Sequence, residues 1–275
     1  MKIRFVVALI VPVVLLAGCG LSDARDKALA ESAVKPLSLD NNWLPGLVAY
    51  PDYPAQGIGP QGYPGVSAAD GSATMNAAQK FLASLGLQSS DLRSGFTVKL
   101  YDTDGATLDS PTLDFCGATY STEAMRVERR QVEATASDSV YTFLSSEAVQ
   151  YESVPAARLA LKEIVDTKKK CSTGYQFQDV DGVTQTMTFH PAPGPSTTVL
   201  VPAADRAILH FTQSSQNYSD TAFIAYQIRG NTLLAFYAVI NGDQPLTQEE
   251  LDSVYGVLTK LTSRLLAAKP VDVGL

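Results

Sequence analysis

The chain has 275 residues, with 21 Lys and Arg against 28 Asp and Glu, which gives a formal net charge of −7. An acidic chain repels phosphate backbones, so this composition argues against a nucleic-acid partner. Two histidines and three cysteines are present, and no histidine lies at ligand spacing from a cysteine. The sequence therefore predicts no metal site and no cofactor.

The first twenty residues have the pattern of a secretory signal peptide. Two basic residues precede an apolar run over 5–16, and the order Leu16-Ala17-Gly18-Cys19 follows. This ending resembles a bacterial lipoprotein signal, which implies cleavage before Cys19 and a lipid, such as palmitate in a diacylglycerol, on its thiol. The run is too short for a membrane-spanning helix of about 20 residues. An ordinary signal peptide with a chance cysteine, or a short anchor, is the alternative.

Loss of residues 1–18 would leave 19 basic residues against 28 acidic ones, a net charge of −9. Such a chain gains nothing from anionic lipid headgroups, so attachment depends on the acyl chains of Cys19. We expect a lipid-anchored protein on the extracytoplasmic face of the cell membrane. No later stretch of about 18 apolar residues predicts a further span.

The two remaining cysteines, Cys116 and Cys171, are an even pair in an oxidising compartment. We expect them to form a disulfide, which would close a loop of 55 residues. The chain-entropy model gives such a link roughly 4 kcal/mol. No Cys-x-x-Cys motif indicates thiol redox chemistry.

Residues 19–72 are predicted to form a tether, because proline and glycine alternate through 44–65. The stretch is also aromatic, so part of it could pack on the domain as an extended strap. A single domain is expected over 73–268, followed by a tail over 269–275.

In chain order, the domain is predicted to begin with a short helix near 77–85 and a strand over 96–101. A helical turn at 121–123 and long strands over 130–135 and 140–151 follow. The next helix begins at Pro155, and its last turn carries three lysines, which suit the helix dipole.

Strands then dominate, and Asp181-Gly182 is a strong hairpin turn. They are predicted over 175–180, 183–189, 199–202, 207–213, 223–229 and 232–239. A capping box at Thr247 and Glu250 begins the final helix, whose apolar stripe should lie across the sheet. This order predicts an α+β fold with a single antiparallel sheet packed by helices.

The predicted domain carries no motif of known chemistry. No Gly-x-Ser-x-Gly or His-Glu-x-x-His is found in the sequence, and no glycine-rich phosphate loop follows a predicted strand. His190 and His210 sit at a strand end and inside an apolar strand, positions typical of packing. We therefore expect a non-enzyme, with an envelope hydrolase that uses a distant carboxylate pair as the alternative.

One motif carries a family resemblance. Phe-Cys-x-x-x-Tyr-Ser-x-Glu-x-x-Arg over 115–126 is followed by Arg-Arg-Gln-Val at 129–132 and Ser-Glu-Ala-Val-Gln-Tyr at 146–151. Over about 75–268 the chain resembles extracytoplasmic lipoproteins and sensor domains of actinobacteria, similar in layout to PknH-like kinase sensors. The resemblance implies a non-catalytic domain, with one sheet flanked by helices, that binds a small ligand or an envelope protein.

The best candidates for a ligand site are Arg126 and Arg130, with Tyr120 and Tyr151 as neighbours. Arginine forks suit carboxylates and phosphates, so an anionic ligand is expected there rather than at either histidine. The alternative is that the arginines pair with nearby glutamates and hold the structure together. A structural or lipid-carrier lipoprotein is the other alternative for the whole chain.

Overall fold

The computed structural model describes residues 77–101, 108, 111–113, 115–137, 139–171, 174–178, 183–216 and 218–275. The expectations for the signal peptide, for Cys19 and for the tether fall outside these residues. No helix in the described part is long and apolar enough to cross a membrane.

Eight strands of the described chain form one sheet in which every neighbouring pair is antiparallel. The sheet order is β1-β2-β3-β8-β7-β6-β5-β4, so the last strand lies near the centre. The strands are β1 (Thr97–Leu100), β2 (Arg126–Thr135), β3 (Tyr141–Tyr151), β4 (Tyr175–Gln178), β5 (Thr184–Phe189), β6 (Arg206–Ser214), β7 (Ser219–Arg229) and β8 (Thr232–Asn241).

Within the described residues, three α-helices pack on this sheet, namely α1 (Ala77–Leu85), α2 (Val154–Lys170) and α3 (Gln248–Ala267). The Ser153 hydroxyl accepts from the Ala156 N–H at the start of α2. The capping box of Thr247 and Glu250 begins α3 as the sequence predicted. The predicted α+β class, with one antiparallel sheet and a C-terminal helix across it, is confirmed.

The helices cover the two faces of the sheet, and both faces are apolar. On the α3 face, α1 and α3 bury a core that includes Leu82, Val132, Phe223, Phe236, Leu258 and Leu261. On the α2 face, the core includes Val149, Ala160, Ile164, Leu209, Tyr226 and Ala235. Because successive strand residues point to opposite faces, a strand covered on both sides is apolar almost throughout.

Two sequence predictions differ from the structure. Residues 199–202 do not form a strand, because the chain there lies on α3 instead, where the Val199 N–H donates to Thr259 Oγ1. The strand β2 begins at Arg126, four residues earlier than expected. Its pairing with β3 contains an irregularity between Arg126 and Glu128, which changes the face to which the following side chains point.

The predicted cysteine pair lies at disulfide distance. The Cα atoms of Cys116 and Cys171 are 6.5 Å apart, within the limit of about 7 Å for such a bond. The link connects the turn Phe115–Gly117 with the C-terminal end of α2.

Candidate functional site

A pocket of about 750 Å³ opens on the α2 face, and no residue of α2 lines it. Its floor is a continuous patch across four strands, since Phe211 pairs with Ala222 and Gln213 pairs with Asp220 in the β6–β7 register. The small Ala222 side chain at this crossing leaves space above the sheet. The floor residues are Met187, Phe211, Gln213, Asp220, Ala222, Ile224 and Val239.

Residues 111–113 and 115–120 form the roof of the pocket, and we call them the cysteine loop. The disulfide link from Cys116 to Cys171 fastens the middle of this loop to the end of α2. Gly117 has a φ of 60°, and a Cβ there would lie 2.9 Å from Cδ2 of Phe177, so the turn requires glycine. Tyr120 donates from its hydroxyl to the Phe115 carbonyl at 2.9 Å, which holds the loop against itself.

A buried ionic network fastens the N-terminal part of the cysteine loop. Arg126 donates from Nη1 to Thr112 Oγ1 at 2.9 Å and lies 3.1 Å from Glu123 Oε2. The Glu123 carboxylate also accepts the backbone N–H groups of Thr112 and Leu113, at 2.8 and 3.0 Å. Both oxygens of Glu123 are therefore already engaged.

The network continues into the sheet. Thr112 donates from Oγ1 to Glu147 Oε1 at 2.6 Å, and Tyr237 donates from its hydroxyl to Glu147 Oε2 at 3.1 Å. Arg129 forms a buried ion pair with the same glutamate. The two arginines and two glutamates of the network balance in charge, so burial leaves no net charge to attract an anion.

Burial changes the ionisation of three nearby carboxyls. It raises the pKa of Glu123, against the lowering effect of Arg126. Burial also raises the pKa of Asp220 in the pocket floor. On β2, burial raises the pKa of Glu128 to about 7, although Arg130 opposes the shift.

The structure does not bring the four predicted ligand residues together. Arg126 lies on the α2 face in the network, whereas Arg130 shares the α3 face with Val132. The exposed fractions of the two arginines are 4% and 2%, and neither lines the pocket. Arg130 donates to the Arg129 carbonyl at 2.7 Å and pairs with Glu128. These are the glutamate pairings that the structural alternative anticipated.

Of the two predicted tyrosines, Tyr120 lines the pocket and Tyr151 is fully buried away from it. Sequence reasoning did not find the floor residues Gln213 and Asp220. The available signal was weak: Asp220 is an ionisable residue at the start of an otherwise apolar strand, which also describes a solvated strand end.

The histidines lie outside this pocket and have structural partners. His210 accepts the Leu246 N–H at Nε2 and donates from Nδ1 to the Pro191 carbonyl, at 3.0 and 2.7 Å. These partners fix the neutral tautomer, and burial lowers the pKa of His210. His190 lies 3.2 Å from the Thr212 hydroxyl.

A second, smaller pocket of about 270 Å³ lies on the α3 face. Phe96, Tyr141, Val254 and Lys260 are among its lining residues. The described residues contain no group of three His, Cys, Asp or Glu side chains that could hold a metal ion.

No protein-family model matches the chain, and no curated protein matches it. Among solved structures, the chain is similar to the extracellular domain of PknH from Mycobacterium tuberculosis. The two are 17% identical, and the match covers 69% of this chain and 98% of that one, with a TM-score of 0.46.

Proposed function

We propose that this protein is a lipid-anchored extracytoplasmic binding protein whose pocket under the cysteine loop holds a small amphipathic ligand. One observation carries the proposal: a pocket of about 750 Å³ has a largely apolar floor and a roof held in place by a disulfide link and a buried ionic network. This volume lies within the range of about 300–1,000 Å³ that is typical of small-molecule sites. A rigid scaffold with a loop over it is a common arrangement for binding.

The location rests on the sequence. The order Leu16-Ala17-Gly18-Cys19 after a short apolar run supports lipid attachment at Cys19. The disulfide distance of Cys116 and Cys171 is compatible with an oxidising compartment. The tether over 19–72 would then space the domain from the membrane. The sequence resemblance to sensor domains supports a signalling use of the bound state.

The carboxylates of the pocket favour binding over turnover. Glu123 and Asp220 both line it, which is the pair that an envelope hydrolase would need. Glu123, however, already accepts two backbone N–H groups and the Arg126 guanidinium. A carboxylate committed in this way is poorly placed to exchange protons with a substrate or to attack one. We therefore propose no catalytic role for the pair.

A lipid carrier is the second candidate, favoured by the apolar floor. A carrier and a sensor share the binding step and differ in whether the ligand is passed on. Transfer of a fluorescent lipid from donor to acceptor vesicles, catalysed by the protein, would identify the carrier.

Binding can be tested on the mature chain carrying Cys19→Ala, which keeps it in solution. The neutral apolar dye N-phenyl-1-naphthylamine should show saturable fluorescence at about one site per chain. Val239→Trp should abolish this signal, because the indole would fill the floor. The matched control is Val140→Trp, at a position 66% exposed outside the pocket, which should bind as the parent does.

Unsaturable dye binding, or unchanged binding by a folded Val239→Trp variant, would overturn the proposed pocket. The anchor is tested separately by labelling cells with an alkyne-bearing fatty acid. The full-length chain should be labelled, and Cys19→Ala should not. Labelling of that variant would contradict lipid attachment at Cys19.

A further inference from the structure

The charged side chains that line the proposed binding pocket are all acidic. Among its described lining residues there are two carboxylates, Glu123 and Asp220, and no lysine, arginine or histidine. A buried anionic headgroup would have no cation to pair with in this lining, and desolvating an unpaired charge is costly. The lining therefore disfavours the anionic ligand that the arginines suggested from the sequence.

The two carboxylates differ in whether they already have a partner and so in whether they can still bind a cation. Glu123 is 3.1 Å from the Arg126 guanidinium, which compensates its charge. The side chain of Asp220 makes no hydrogen bond or ion pair with the described residues, although its backbone pairs with β6 and β8. Burial raises the pKa of this carboxyl. Among the described lining residues, Asp220 is therefore the carboxylate that still lacks a partner.

The position of Asp220 defines where a ligand's polar group would lie. It is the second residue of β7, and it pairs with Gln213 on β6 and with Asn241 on β8. Gln213 lines the pocket beside it, so an amide and a carboxylate adjoin at one end of the floor. Ala222 and Ile224 follow on the same face of β7 and give the floor its apolar part.

Aromatic side chains are a second feature that suits a cation. Phe115 of the roof, Phe177 of β4 and Phe211 of the floor all line the pocket, and the rings of Phe115 and Phe211 have centroids 5.7 Å apart. Aromatic faces attract ammonium groups, and the attraction increases when water is excluded. Aromatic rings and a carboxylate therefore occur together in the lining of one pocket.

We infer that the pocket selects a ligand with an apolar chain and a positively charged amine head, which Asp220 binds. This inference rests on the proposed binding function. The apolar chain would lie over Ala222, Ile224 and Val239, and the ammonium would pair with the Asp220 carboxylate. The acidic character of the mature chain adds a long-range attraction of the same sign.

Three probes with one chain and different heads test this selection at pH 7. Dodecylamine, dodecanol and dodecanoate, each below its micelle concentration, should displace N-phenyl-1-naphthylamine from the mature Cys19→Ala chain. We expect the amine to bind at least about tenfold more tightly than the alcohol, as for a hydrogen bond to a charged group. Dodecanoate should bind most weakly.

The variant Asp220→Asn should lower the affinity for dodecylamine about tenfold and leave that for dodecanol within about twofold. Asp252→Asn is the matched control, because it removes the same charge from the exposed surface of α3. It should leave the preference for the amine unchanged. Added salt should weaken dodecylamine binding more than dodecanol binding.

The outcomes separate the two proposals. If dodecanol binds as tightly as dodecylamine, or dodecanoate binds best, the inference that the pocket prefers a positively charged headgroup is overturned. The proposed binding function is then still supported. The same holds if Asp220→Asn keeps the full preference. If no dodecyl compound displaces the dye and the dye itself does not saturate, the binding function fails. The comparison of heads on the parent protein needs no variant, so a folding defect in Asp220→Asn leaves the test decisive.

Discussion

The two faces of the sheet are built from the same strands, but one face is filled by helices and the other keeps a pocket. The α3 face is closed by a 20-residue helix, by α1 and by the segment that follows β5, and it buries a large apolar core beside the Arg130–Glu128 pair. On the α2 face, the helix covers part of the sheet, and the cysteine loop covers the rest without filling the space beneath. The loop is held by a disulfide link and by buried charges.

The alternation of side chains along the strands makes both faces of the sheet apolar. The element that covers each face then decides whether the face is filled completely or keeps a pocket. A long amphipathic helix fills the α3 face with side chains from its stripe. The cysteine loop adds Leu113, Phe115 and Tyr120 to the apolar core, is also held by the disulfide link and by buried charges, and leaves room for a ligand beneath it. Changes on the α3 face should therefore alter stability alone, whereas changes around the loop should alter stability and binding together.

The largest effect is expected from Glu147→Ala, on the loop side. It leaves Arg129 without its buried carboxylate and removes the acceptor for Thr112 and Tyr237. Breaking such a pair should lower the free energy of unfolding by about 3–5 kcal/mol. Urea denaturation measures this loss. Glu133→Ala is the control, since that glutamate is less buried and lies 3.9 Å from Lys99, and it should cost below about 1 kcal/mol.

Equal losses for the two glutamate variants would show that the network does not hold the loop.

Removing the covalent link is the next largest change. Cys116→Ala with Cys171→Ala should cost about 2–5 kcal/mol of unfolding free energy, because the unfolded chain regains the entropy of the open loop. The dye should also bind more weakly in the folded variant, because one attachment of the roof is released. Unchanged dye affinity in a destabilised variant would separate the roof from the binding site.

On the opposite face, Leu258→Ala should cost about 2–4 kcal/mol, since Leu258 is fully buried in the α3-face core. Dye affinity below the melting transition should stay within about twofold of the parent, because the pocket lies across the sheet. Chemical denaturation and dye titration on one preparation test both parts. A large loss of binding would contradict the independence of the two faces.

The smallest effect concerns pH. The folded protein raises the pKa of Glu128 from 4.5 to about 7, so the folded state binds this proton more tightly than the unfolded state. The resulting stabilisation is fully present below about pH 4.5 and is lost as pH rises through about 7. Glu128→Gln cannot titrate, so its stability should not fall over this pH range, although the variant leaves Arg130 without a carboxylate partner.

The melting temperature should therefore change less between pH 5 and pH 8 for Glu128→Gln than for the parent. An unchanged slope would mean that Glu128 does not titrate in this range.

The sequence predicted the elements whose signals are local. The capping box at Thr247 and Glu250, the alternation of the central strands and the cysteine pair were sufficient for the fold class. The irregularity between Arg126 and Glu128 had no local signal, and it decides which arginine points to which face. The predicted site therefore joined two residues that the structure places on opposite sides of the sheet.

The pocket could not be predicted because it depends on how far α2 extends over β6 and β7. That limit is a property of packing between elements distant in sequence. Ala222 and Ile224 read equally well as core residues, and Asp220 as a solvated strand end. The burial of Asp220, and the absence of a cation beside it among the described lining residues, become visible when the register of β6 with β7 is known.

The most direct test of the account is an NMR titration of the mature Cys19→Ala chain with N-phenyl-1-naphthylamine, followed in amide correlation spectra. The account predicts saturating shifts at Tyr120, Phe177, Met187 and Ala222, which surround the pocket on the α2 face. Shifts confined to Phe96, Tyr141 and Lys260, which line the pocket on the α3 face, would contradict it, as would a spectrum that does not change.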